Sequence, residues 1–82
     1  MRSDNRSSGQ PIEVFVPLLS AGTEPLRRTD GLVIGPNQVQ LLAPPDYKPN
    51  AERWQFPPGS RVTCTTELRG GRQLLVARHR IA

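Results

Sequence analysis

Eighty-two residues hold a single domain, and one cysteine excludes an internal disulfide, which fits a reducing, cytoplasmic setting. Nine prolines and seven glycines interrupt the chain too often for a long helix, and no apolar run approaches the roughly 18 residues of a membrane span. The formal charge is +4, and the whole excess lies between Ser60 and Ala82, where five arginines accompany one glutamate.

In chain order, Met1 to Gln10 is polar and is expected to be a disordered lead-in; Arg2 and Arg6 precede no apolar run, so it is not a secretory signal. The single β domain is then 11–82. Roughly 70 residues give a core worth only about 3–5 kcal/mol net, a size at which small domains lean on partners, so a homo-oligomer is one expectation. Pro11 to Leu19 alternates Ile12, Val14 and Val16 against Glu13 and Phe15, which predicts a first strand limited by Pro17. Ser20 to Pro25 is a connection. Leu26 to Ile34 predicts a second strand, with Gly31 marking a bend or bulge. Gly35-Pro36-Asn37-Gln38 is a turn, Val39 to Ala43 a short third strand, and Pro44 to Glu52 a loop in which Asn50 caps one helical turn.

The strongest local signal is at the end of the chain. Ser60–Arg69 and Arg72–Ile81 flank Gly70-Gly71, a pair that favours the primed turn of a β-hairpin. With the glycines as the two turn residues, Val62 faces His79, Cys64 faces Ala77, Thr66 faces Leu75 and Leu68 faces Gln73 on a core side. The other side then pairs Arg61 with Arg80, Thr63 with Arg78, Thr65 with Val76, Glu67 with Leu74 and Arg69 with Arg72. Like charges directly opposed destabilise a sheet, so this second side is solvated or meets an anion. Leu74 and Val76 lie on it too and suit an interface or a second layer. The five strands predict an all-β, small, SH3-like, partly open barrel; an open sheet that dimerises is the alternative.

No arrangement of catalytic residues is evident. Cys64 reads as a core thiol and His79 is the only histidine, with no ligand pair at metal spacing, so neither a metal nor a cofactor is expected. Carboxylates are scattered, without an adjacent histidine, and glycine-rich phosphate loops are missing. The candidate residues are therefore those of a non-catalytic binding module: Arg61, Arg69, Arg72, Arg78 and Arg80 on the hairpin. Trp54 stands nearby as a ring on which a base could stack, although a tryptophan before a turn is more often a core or half-exposed structural side chain. The partner is an acidic protein or a nucleic acid, and not a membrane.

Val14-Phe15-Val16-Pro17-Leu18-Leu19-Ser20-Ala21-Gly22-Thr23, Trp54-Gln55-Phe56-Pro57-Pro58-Gly59-Ser60-Arg61-Val62-Thr63-Cys64 and Leu75-Val76-Ala77 together resemble a pattern found in a family of small uncharacterised bacterial proteins. Leu26 and Arg28 depart from the Trp and Pro of that pattern around Arg27. The resemblance implies an all-β bacterial protein, with no activity to carry over, and small basic proteins of this sort are common in mobile gene cassettes. Val39-Gln40-Leu41-Leu42 is faintly similar to a segment of the plasmid-borne dihydrofolate reductases, small barrels that share one site between subunits. That resemblance implies an oligomeric enzyme as the less favoured reading, and it lacks the tyrosine of the segment.

Overall fold

The structure is a computed structural model that describes residues 10–19 and 24–81. The expected disordered lead-in, 1–10, lies outside the described residues except for Gln10, and so does the middle of the first connection, 20–23. Five strands follow one another, β1 (Pro11–Pro17), β2 (Leu26–Gly35), β3 (Gln38–Leu41), β4 (Arg61–Arg69) and β5 (Arg72–Arg80). Each pairs antiparallel with the next, and β5 returns parallel to β1 to close a small all-β barrel, with no helix among the described residues. Closure rests on one bridge, Phe15 with Val76.

Alternation selects the core. Val14 and Val16 from β1, Val39 and Leu41 from β3, Val62 and Cys64 from β4 and Ala77 from β5 point into the barrel and are buried. Most are β-branched, the shape that packs best on a pleated face. Gly31 stands opposite Ile12 and Leu41 in regular register, so it is not a bulge. A Cβ there would come within 3.0 Å of Val14 Cγ2 and 3.2 Å of Val39 Cβ, so glycine is present because the barrel interior has no room. The irregularity falls instead between Val33 and Gly35, just before a turn in which Asn37 takes φ 58°.

The hairpin turn is as predicted, with both glycines at positive φ, 57° and 80°, and the register holds from Arg69–Arg72 to Cys64–Ala77. There it shifts. Thr63 pairs with His79 and Val62 with Arg80, leaving Arg78 without a cross-strand partner of its own, a β-bulge that the sequence pattern does not reveal. As a consequence Ile81, and not Arg80, comes opposite Arg61 on the β5 side, which takes two like charges out of direct opposition. Before the shift Val76, paired with Thr65 and meeting Phe15 at the seam, is buried as well as its neighbour Ala77.

The expected core side of the hairpin extends only part of the way. Thr66, Leu68 and Gln73 are exposed because β3 accompanies β4 only as far as Thr63, so the hairpin tip overhangs the barrel. The strands define two rims. The hairpin rim carries the β2–β3 and β4–β5 turns; the loop rim carries the starts of β2 and β4, the end of β5 and the long connection from Leu42 to Ser60.

That connection plugs the loop rim. Trp54 bridges Leu18 beyond the end of β1, Gln55 N–H donates to the Pro17 carbonyl at 2.9 Å, and Trp54 and Phe56 are buried in the core. Tyr47 meets the Trp54 ring edge-on, with centroids 5.0 Å apart and planes at 70°. A single turn is present but starts at Lys48, whose carbonyl accepts from the Ala51 and Glu52 amides, so Asn50 lies inside it and does not cap it as expected.

Candidate functional site

The six candidate residues do not form one face. Trp54 is 5 % exposed, and its Nε1–H donates to Glu52 Oε1 at 3.1 Å, so both faces and tip of the ring are committed to the fold and none is offered to a base. Arg69 and Arg78 are committed as well. On the outer side of the hairpin the Arg78 guanidinium reaches Glu67 through Nη2 at 2.6 Å and also through Nε, and it holds both oxygens of Glu24 at 2.9 and 3.0 Å. Arg69 Nη2 donates to the same two carboxylates, at 2.8 Å to Glu24 and 3.1 Å to Glu67. Thr65 Oγ1 adds a bond to Glu67 at 2.8 Å.

Two guanidiniums and two carboxylates thus neutralise one another where a basic face was expected. Bonds from Arg78 and then Arg69 hold Glu24 down to about 2, and Arg78, Thr65 and Arg69 do the same for Glu67. The bulge lies at Arg78 itself, whose long side chain turns back along the hairpin to Glu67 on β4. Sequence alone gave no sign of it: Glu24 is 45 and 54 residues from its partners.

A second ion cluster anchors the long connection. Arg27, near the start of β2, donates through Nε to Glu52 at 2.7 Å and through Nη2 to Asp46 at 2.7 Å, which lowers both carboxyls. Arg28 pairs with Glu13 across the β1–β2 ladder. Among the described residues, every carboxylate except Asp30 is therefore paired within the chain, and the arginines that do this are Arg27, Arg28, Arg69 and Arg78.

Both carboxyls of the hairpin network ionise well below their ordinary value of 4.5, so their contribution to stability is complete above that pH and is lost as pH falls toward 2. Thermal midpoints are expected to be level from pH 7 to 5 and to fall below 4.5, and Arg78→Gln should flatten that acid limb. Parallel acid limbs for the two proteins would show that the network does not couple to folding.

Five cations remain without an ion pair among the described residues: Lys48, Arg53, Arg61, Arg72 and Arg80. Four of them share the loop rim. Arg61 opens β4 and Arg80 ends the neighbouring β5, where it pairs with Val62 while Ile81 N–H donates to the Arg61 carbonyl at 2.8 Å. Arg53 and Lys48 lie on the connection that plugs the rim, with the Arg53 carbonyl accepting from Leu19 N–H at 2.7 Å. Arg72 is at the opposite end of β5, about 26 Å from Arg80 at the usual rise per residue. Sequence reasoning placed Arg61 and Arg80 in the site and missed Arg53 and Lys48, whose proximity depends on how the connection folds back.

Cys64 is 2 % exposed, and burial pushes its thiol up to about 11, a core side chain in an unreactive state. No cluster of three or more metal-ligating side chains occurs among the described residues, and no helix among them is long and apolar enough to cross a membrane. Compared with family models, with curated proteins and with solved structures, the chain matches none.

Proposed function

We propose that the chain is a non-catalytic binding module that meets an anionic macromolecule with its loop rim, through Lys48, Arg53, Arg61 and Arg80. The observation that carries this reading is the pairing pattern: the described carboxylates, Asp30 apart, are consumed internally, and four of the five cations left over lie on elements that meet at one end of the barrel. A rim tied down by Arg27 and by the buried Trp54 presents these charges on a fixed surface, which lowers the ordering cost of binding. Arginine supplies three of the four, and its planar fork suits phosphate and carboxylate alike. On this reading the chain is a cytoplasmic protein of the small bacterial family that it resembles.

A polyanion titration over a salt series tests it. Neutralising four phosphates gives a log–log slope of about −3 to −3.5, less steep for single strands than for duplex. Arg61→Ala and Arg80→Ala should each reduce the slope by about one and weaken binding, whereas Arg72→Ala should change neither. Equal losses from Arg72→Ala and Arg80→Ala would place the contact elsewhere. A slope near zero with oligonucleotides, joined to salt-sensitive binding of an acidic polypeptide, assigns the rim to a protein partner.

A further inference from the structure

The edge of β4 near the hairpin rim is left unused by the barrel. β3 pairs with β4 only over Arg61–Thr63, and one further bond runs from Cys64 N–H to the Asn37 carbonyl at 2.7 Å. From Thr65 to Arg69, β4 pairs with β5 alone among the described residues. In a hairpin with a two-residue turn, the flanking pair, here Arg69 and Arg72, exchanges main-chain hydrogen bonds. Thr65 and Glu67 therefore also direct their main-chain groups at β5, and Thr66 and Leu68 direct theirs away from it. Cys64 has the same parity, and its bond to Asn37 confirms the direction. Proteins usually blunt such an edge with proline, a bulge or lysine. Thr65-Thr66-Glu67-Leu68-Arg69 has none of these, and Leu68 is 71 % exposed.

We propose that this edge pairs antiparallel with the same edge of a second copy of the chain, on a two-fold axis through Leu68. The sequence of the edge selects the occupant and the register. Centred on Leu68, the pairing sets Leu68 against Leu68, Glu67 against Arg69 in both directions and Thr66 against Gly70, an apolar pair flanked by opposite charges. Centred one residue earlier it opposes Glu67 to Glu67, and centred on Thr66 it requires Cys64, whose outward N–H is already taken. In the favoured register the turn glycines of one copy come alongside Thr66 and the Asn37 turn of the other. No atom lies within 4 Å of where a Cβ would be built on Gly70 or Gly71, so this approach is open. Leu68 and its counterpart exchange two main-chain bonds, while the outward groups of Thr66 meet the turn of the other copy, where Gly70 at φ 57° has left the strand; the ladder is short and the dimer weak and concentration-dependent.

Sedimentation equilibrium on the full chain over a concentration series should show the mass rising from monomer to dimer. Thr66→Pro removes only an outward N–H, and Leu68→Lys opposes two lysines. Each should raise the dimer dissociation constant at least about tenfold while far-UV circular dichroism and the thermal midpoint of the dilute monomer stay unchanged. Under mild oxidation Leu68→Cys should form a disulfide-linked dimer and Thr66→Cys should not, since only the former faces itself; buried Cys64 gives little background. A monomer at every concentration, a dimer that both Thr66→Pro and Leu68→Lys leave intact, or equal cross-linking of the two cysteine variants overturns the proposal.

Discussion

Trp54→Ala is expected to leave the chain largely unfolded at 25 °C, and Trp54→Phe to leave it folded with a lowered thermal midpoint. Removing a buried tryptophan costs about 3–5 kcal/mol, and a domain of roughly 70 residues has little more than that in total. The loss is concentrated here because the ring closes the loop rim. It supports Tyr47 edge-on, bridges Leu18 and gives Glu52 a donor, and Glu52 in turn holds Arg27. Phenylalanine restores the apolar plug without the N–H, so its deficit should be about 1–2 kcal/mol. Denaturant unfolding followed by far-UV circular dichroism measures both. A Trp54→Ala protein that remains folded, with an unfolding midpoint close to that of the parent, would mean that the connection is not part of the core.

The second large effect is expected at Gly31, where Gly31→Val should destabilise by about 1–3 kcal/mol or more through overpacking. The cause is specific, because the added carbon meets Val14 and Val39 from two different strands, and neither branched side chain can swing aside. Gly31→Ala combined with Val14→Ala should accordingly cost less than the sum of the two single changes, since the cavity left by one receives the methyl of the other. Additive losses in that cycle would show that the two sites do not share space.

The loop rim and the hairpin network were legible in the sequence to different degrees, and the difference is physical. Strand period and glycine turn chemistry are local, so β1, β2, β3 and the hairpin can be read within a residue or two, as can the inner positions Val14, Val16, Val62 and Cys64. The β5 bulge is not local. It depends on whether Arg61 and Arg80 are forced opposite each other and on what Arg78 can reach, and the carboxylates that it reaches lie on β4 and at the foot of β2. Charge counting along the chain correctly located the surplus of arginines in the last third and misjudged which were free. Glu24 belongs to a distant segment, and nothing in its neighbourhood announces that it will cross to the hairpin. Trp54 failed as a stacking candidate for a related reason: a tryptophan beside arginines in sequence is no guide to depth, and its burial follows from the connection folding back on Leu18.

The seam where β5 meets β1 has a bearing on the order of assembly. Phe15 and Val76 are 61 residues apart, whereas the contacts of the hairpin span a handful to some twenty positions. Chain-closure entropy must be overcome before the seam can reward it, so the glycine hairpin is the natural nucleus and the seam the last joint to form. Folding in milliseconds to seconds is the pace for such a topology, with substitutions at the hairpin slowing refolding and substitutions at Phe15 chiefly hastening unfolding. Until the seam closes, both β1 and β5 expose a strand edge, and the nascent barrel has its greatest exposure to mispairing in that interval.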